Sequence, residues 1–567
     1  MKLMMKRYYL IFFLAVALIS GCQKPQHVPP TLERQGITSL TAFFTSGPYD
    51  GLELAKLVVE DPTVDRFVIE IPYYYPATSD NSTKKYLSAL RVKAALANNC
   101  KIEPPITILD LNEGIENEFI FTDAQGNSRP IIIEGKRVKS SECKAMSFEL
   151  TEPFTVSGFV NEEKKEIYLF TTDDLTNYKA KATVSAHAEV KEDLSVPRNY
   201  NEPQKLTVVA DDGTEGVYTV MKQYPTKIPY GFREESVTPL FNIDPVKLLG
   251  FPQYTTTVYP TLASIEGYLI VSFGNGTAPV YIDALTGSKK GEINAGNVNI
   301  AAITNDEGGN LVISTHAEAA GVCEIYRTNS VTKAPELFHS FTNDTDLATG
   351  YHMKVHGNID SDAVIILTHE GVAGVTEASK YTRIIVSGGA VTTTEVVDLL
   401  GLGLTWGTAP TNTAKVVATS PKADHGVMLC YYSANTINYI NQTGSIAATL
   451  ALADLGFGIN TNFNTNCMDA KSYNNAIYAV HLTSSHFPMW GVGPMLTVFD
   501  ITTPTSISKG KPVLANSEIE WFQKAAQGCA AADVVMAPSA DGFKVFIFYF
   551  DHNCSVIGGY SADCINI

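Results

Sequence analysis

From about residue 240 onward, apolar residues fall into short runs bounded by turn residues, not at helical spacing. The central runs are Leu269-Ile-Val-Ser-Phe273, Leu311-Val-Ile-Ser-Thr315, Val364-Ile-Ile-Leu-Thr368, Val427-Met-Leu-Cys-Tyr431, Ile477-Tyr-Ala-Val-His481 and Val545-Phe-Ile-Phe-Tyr549. Their length and their β-branched and aromatic content mark buried strands. A shorter apolar run precedes each, as in Met353-Lys-Val355 and Val534-Val-Met-Ala537, and a third follows, as in Arg383-Ile-Ile-Val386. Each repeat but the last adds a fourth run, and the last reaches residue 567 without one. Four strands per repeat at this spacing predict a six-bladed β-propeller over 240–567, with the run 240–249 supplying the missing edge of the last blade. A stacked array of sandwiches is the alternative, and it leaves that completion unexplained.

Upstream, two stretches share one plan. Phe119-Ile-Phe-Thr-Asp-Ala-Gln-Gly-Asn-Ser-Arg-Pro-Ile-Ile-Ile133 aligns with Leu206-Thr-Val-Val-Ala-Asp-Asp-Gly-Thr-Glu-Gly-Val-Tyr-Thr-Val220, each reading strand, turn, strand. Gly126 and Gly213 supply the turn. Phe67–Pro72 corresponds to Glu166–Phe170, and Leu90–Ala94 to Tyr178–Ala182. The expected fold class is therefore all-β, with two immunoglobulin-like sandwiches (37–140 and 147–223), a linker (224–239) and then the propeller. These tandem modules resemble Bacteroidetes lipoproteins of unassigned function, often encoded beside glycan-import genes. The run Ala210-Asp-Asp-Gly-Thr-Glu-Gly-Val-Tyr-Thr-Val220 is the most specific part, and Ala124-Gln-Gly-Asn-Ser-Arg-Pro130 departs from it. The resemblance implies location and a spacer role more than chemistry.

The N-terminus changes the picture of where the chain works. Lys2, Lys6 and Arg7 precede the apolar stretch Tyr8 to Ile19 and then Ile19-Ser-Gly-Cys22. This is an export signal over 1–22 that resembles a bacterial lipobox, with Cys22 as the lipidated residue and 23–36, rich in proline, as a tether. The apolar run is too short for a membrane-spanning helix. Two or more acyl chains anchor stably, at about 0.8 kcal/mol per buried methylene. Gln23, in place of the aspartate that commonly retains lipoproteins at the inner membrane, points to the outer membrane, on its surface or its periplasmic side. Outer-membrane transport proteins are then candidate partners.

A net charge of -17 excludes nucleic acid as a partner, because a phosphate backbone would be repelled. Of the 9 cysteines, Cys22 is assigned to lipid, and Cys100 with Cys143 is the expected disulfide. No zinc spacing, P-loop, dinucleotide fingerprint or Gly-x-Ser-x-Gly elbow occurs, so neither a metal nor a cofactor is expected. Ser539-Ala-Asp-Gly-Phe543 resembles a sialidase Asp-box but lacks its spacer and terminal Trp, and reads as a turn. His316 and His369 each follow a central strand and read as structural residues rather than ligands.

Candidate binding residues follow from propeller geometry. The connections from fourth to first strands and from second to third strands share one face, and these are the long ones. Trp406, Trp490 and Trp521 all fall in them, joined by Tyr351, His352, His486 and Asp551, with Phe457, Phe463, Phe487, Tyr254 and His552 nearby. Exposed rings offer flat faces on which sugars stack. The expected function is a non-catalytic envelope lipoprotein that binds a ligand, a polysaccharide or oligosaccharide, on that face. The alternatives are a propeller glycosidase or polysaccharide lyase, using a carboxylate pair drawn from Asp344, Asp346, Glu518, Glu520 and Asp551, and a protein scaffold in an outer-membrane assembly.

Overall fold

The computed structural model describes residues 36–566 except 172, 225, 254–258, 372–375, 408–413, 423, 433, 457–463, 486–492, 523–530 and 540–541. The export signal, most of the tether and Cys22 therefore lie outside the described residues. The chain divides into two compact units, Met1–Ser141 and Glu142–Ile567. Among the described residues no helix is long and apolar enough to cross a membrane.

The first unit is a sandwich of two four-stranded sheets. One contains Glu53–Val58, Ile37–Phe43, Leu90–Leu96 and Ile108–Leu109 in that order; the other contains Arg66–Pro72, Ser128–Val138, Asn117–Thr122 and Lys101–Glu103. Strict alternation in Phe67, Ile69 and Ile71 buries these side chains, and they meet Leu40, Leu90 and Val92 from the other sheet.

The second unit begins with a seven-stranded sheet whose halves enclose one core of Phe148, Leu150, Ile167, Leu206 and Tyr218. The repeat read from the sequence appears in its pairing. In the first module Arg66–Pro72 runs parallel to Ser128–Val138, and in the second Glu166–Phe170 runs parallel to Glu215–Gln223. Both closing hairpins turn at a glycine with positive φ, 86° at Gly126 and 92° at Gly213.

The remainder of that unit is a propeller of six four-stranded antiparallel blades. From axis to rim, strands A to D of blade one are Thr261–Ile265, Tyr268–Ser272, Val280–Asp283 and Lys289–Glu292. The A strands of blades two to six are Ala302–Asn305, Thr349–Gly357, Ala414–Ala418, Asn464–Tyr473 and Ala532–Pro538, and each neighbours the next around a closed ring. Blade six takes Lys544–Asp551 and Val556–Asp563 as B and C, and Thr238–Ile243 as D. Closure by an N-terminal strand therefore removes the open edge, as the repeat pattern implied.

Two expectations are corrected. The run 240–249 is not one strand: after Ile243 the chain forms a helical turn, Pro245–Leu249. Asp244 accepts from the amides of Val246 and Lys247 and Pro245 occupies the first helical position, so the Asp-Pro pair is a helix start. Cys100 and Cys143 are free thiols, and they belong to different units, so proximity in sequence was a poor guide to pairing. Cys323, Cys430, Cys467, Cys554 and Cys564 are also free and are buried singly in the blades as small apolar residues.

Candidate functional site at the mouth of the axis

The propeller axis is filled by charge. Lys354, Lys415, Lys471, Asp469 and Asp533 project from A strands, and none is more than 3% exposed. Lys354 Nζ lies 3.0 Å from Asp533 and Lys415 Nζ 3.3 Å from the same carboxylate, while Lys471 Nζ lies 3.0 Å from Asp469. The carboxylates also bind neighbouring blades: Asp533 Oδ2 accepts from Leu262 N at 3.0 Å and Asp469 Oδ2 from Met536 N at 3.0 Å. Paired and hydrogen-bonded ions of this kind tolerate burial. Burial opposes the charge on Lys354, but the Asp533 and Asp469 carboxylates more than offset it and hold its pKa above the ordinary lysine value.

At the end of the axis where the A strands begin, three rings from three blades form a stack. Tyr259, just before strand A of blade one, lies 4.0 Å from Tyr351 of blade three at an interplanar angle of 13°. The opposite face of Tyr351 meets His316 of blade two at 4.4 Å and 29°. A bulge places Tyr351, because Thr349 pairs with His369 and Met353 with Leu367, leaving extra residues on one strand. Gly350 permits the approach: its φ is 122°, and a Cβ there would stand 2.3 Å from the Thr315 carbonyl and 2.8 Å from His316 Cα. Directly below, His352 is buried and its Nδ1 lies 3.3 Å from Lys415 Nζ, which joins the stack to the axial ions.

Carboxylates flank the stack. His316 Nε2 lies 3.7 Å from Glu370 and Nδ1 3.9 Å from Glu318. The nearby Glu370 carboxylate raises the His316 pKa against the opposing effect of burial. Burial, with Glu370 and Glu318 nearby, raises the Tyr351 phenol as well. The site thus offers two phenols, an imidazole that favours its charged form, and two carboxylates. It can exchange hydrogen bonds with hydroxyls and present ring edges, but both faces of Tyr351 are already covered.

The residues singled out from the sequence separate in the structure. Tyr351 and His352 belong to this site, although they lie in the bulged start of a strand rather than in a loop. Trp406 does not offer a surface: it is 2% exposed, packs with Leu347, Val364 and Leu429, and donates from Nε1 to the His369 carbonyl at 2.7 Å. Trp521 is half-buried against the core between blades five and six. Asp551 is buried, and its Oδ1 accepts from Cys554 N at 2.9 Å to shape the turn between strands B and C. His552 is buried beside Phe273 and Phe550. Trp490, His486, Phe457, Phe463, Phe487 and Tyr254 lie outside the described residues.

Among the candidate carboxylates, Asp346 pairs with Lys380 at 3.2 Å, and Asp344, Glu518 and Glu520 are exposed. His369 is structural, with Thr345 and Thr382 hydroxyls each 2.9 Å from its ring nitrogens. No group of residues suited to a metal occurs among the described residues. The sequence reading missed Tyr259 and Glu370 and took His316 as structural. The glycine before Tyr351 was the available signal. It also missed the axial ions, whose signal was charged residues inside apolar first strands.

Comparison with known proteins gives families without assigned chemistry. No curated protein matches the chain. Solved structures similar to it include a DUF4623 family protein from Bacteroides eggerthii (13% identity, TM-score 0.41, covering 75% of this chain and 99% of that one). Virginiamycin B lyase from Staphylococcus aureus is 13% identical with a TM-score of 0.29, covering 57% of this chain and 99% of that one. The PQQ-bound aldose sugar dehydrogenase from Streptomyces coelicolor is 12% identical with a TM-score of 0.28, covering 59% and 99%. Residues 17–135 match a domain of unknown function, DUF5018, and residues 146–222 match another, DUF8499. Because the match over residues 239–563 spans more than half of the chain and contains the axial mouth, this protein belongs to the family described as Domain of unknown function (DUF8500).

Proposed function

We propose that this protein is a non-catalytic envelope lipoprotein, anchored through Cys22, whose propeller binds a glycan at the mouth of its axis. The observation that carries the reading is the Tyr259–Tyr351–His316 stack, built from three blades and flanked by Glu318 and Glu370. Rings and carboxylates held on a rigid scaffold suit a ligand with C–H edges and many hydroxyls. Glu318 and Glu370 both face one imidazole, an arrangement that serves binding better than an acid and base on opposite sides of a scissile bond.

The test is a glycan array followed by calorimetry on the best hit. Tyr351→Ala and His316→Ala should each weaken binding by about 1–3 kcal/mol. Trp406→Ala should lower stability by about 3–5 kcal/mol and leave the affinity of the folded fraction alone. Unchanged affinity in both mouth variants would remove the site from this face. Anchoring is tested separately by labelled palmitate, whose incorporation should vanish in Cys22→Ala.

A further inference from the structure

A second place on the molecule has the makings of a ligand site, and it lies on the second β module rather than on the propeller mouth. Phe154 sits at the tip of the turn between Ala145–Glu152 and Val156–Asn161 and is 48% exposed. A depression of about 500 Å³ lies beside that turn, walled by Glu152, Asp174, Asn177, Tyr178 and Lys179. This is within the size of small-ligand sites, about 300–1,000 Å³. The Phe154 ring stands edge-on to Tyr178, with centroids 5.3 Å apart at 88°. Tyr178 is 2% exposed, and its hydroxyl has no hydrogen-bond partner among the described residues. Tyr178 therefore backs the depression with its ring, while its hydroxyl stays sealed beneath the surface.

A second depression of about 310 Å³ is walled by Phe154 itself with Ser157, Thr171, Phe170 and Phe543. Phe170 and Phe543 meet at 5.1 Å and 70°, and Phe543 precedes strand B of blade six, so the trough continues from the module onto the propeller. We propose that this trough binds a neutral oligosaccharide, with Phe154 as the ring under its C–H face and the exposed Asp174 and Asn177 as hydroxyl partners. Thr176 and Asn201 each bond Asp174 Oδ1 at 2.6 Å, which fixes that carboxylate's orientation. The charges of the wall are balanced in place, which suits a neutral ligand: Lys179 is paired with Glu152 at 2.6 Å, and the Lys222 ammonium, bonded to the Asp173 carbonyl and to Asn201, stands against Asp173 and Asp174. Two depressions lined by the adjacent residues Pro153 and Phe154 suit an extended chain of sugars better than a monosaccharide.

The experiment is calorimetry on the full chain in detergent with cellohexaose, xylohexaose, mannohexaose and maltohexaose as probes and decaproline as competitor. At least one hexaose should bind, Phe154→Ala should weaken it about tenfold or more, and Asp174→Asn should weaken it severalfold. Melting temperatures should stay at the parent value, and Phe154→Leu, which keeps apolar volume without a ring, serves if the alanine variant does not fold. Binding here should persist in Tyr351→Ala, which reports on the propeller mouth. The proposal is overturned if no hexaose binds, if Phe154→Ala and Phe154→Leu bind as the parent does, if only Tyr351→Ala loses binding, or if decaproline displaces the sugar.

Discussion

The phenol of Tyr549 donates to Asn242 Oδ1 at 2.7 Å, joining residues 307 positions apart. One turn away, Ser555 Oγ donates to Asp244 Oδ1 at 2.7 Å. Both bonds fasten the N-terminal strand to the last blade, so ring closure depends on a few polar contacts as well as on the strand ladder. Asp244→Ala removes a helix cap and the Ser555 bond together and should cost about 1–3 kcal/mol. Denaturant unfolding followed by tyrosine fluorescence should show the midpoint fall, and an unchanged midpoint would mean that closure rests on the ladder alone.

Asp533 holds Lys354 and Lys415 at once. Asp533→Asn leaves two buried ammonium groups without their counter-charge and should cost about 3–5 kcal/mol. A triple variant, Lys354→Met with Lys415→Met and Asp533→Leu, removes this triad of charges, leaves the Lys471–Asp469 pair intact and should recover most of that loss. If the triple variant is no more stable than the single one, packing rather than charge balance governs the axis.

Stability should fall on mild acidification. Burial lowers the pKa of His369 to about 4, of His552 to about 4 and of His481 to about 3. Below their ordinary value the unfolded chain takes up protons that the folded chain refuses, so stability present above about 6.5 is lost as pH falls toward 4. Each group contributes a slope of about 1.4 kcal/mol per pH unit. His316 works the other way: its raised pKa adds stability that is present below about 6.5 and lost as pH rises through the folded value. Asp306 and Asp551, pushed up by burial, also oppose the loss at the acid end. Urea midpoints should decline between pH 7 and 5, and more steeply in His316→Gln; a flat profile would contradict the buried neutral imidazoles.

Thiol reactivity should report the corrected disulfide. Cys100 and Cys143 are half-buried free thiols, whereas Cys323, whose pKa burial raises to about 12, Cys430 and Cys467 are sealed in blades. A thiol reagent added to the native protein should modify Cys100 and Cys143 before the other described cysteines, identified by peptide mapping, and reductant should leave the melting temperature unchanged. A Cys100–Cys143 cross-linked peptide would restore the original expectation.

Much of the fold was legible in the chain because strand burial in a propeller is nearly complete. Runs such as Leu269-Ile-Val-Ser-Phe273 and Val364-Ile-Ile-Leu-Thr368 can hardly be anything but inner strands, and a last repeat one strand short asks for an N-terminal strand, sought at 240–249 and found at Thr238–Ile243. The paired modules were visible in their hairpins, since turn glycines and alternating residues are local properties. Side-chain fate is not local. Trp406 and Tyr351 stand on the same face by topology, yet one packs beneath Leu347 and Leu429 while Gly350 turns the other toward a neighbouring blade. Likewise, a lysine inside Met353-Lys-Val355 reads as an oddity until Asp533, from another blade, comes within 3.0 Å. Periodicity and turn chemistry act within a few residues, so the sequence by itself determined the strands, their grouping and their closure. Which rings lie open, which charges pair and which cysteines meet depend on atoms brought together from distant blades, and only the tertiary structure decided those.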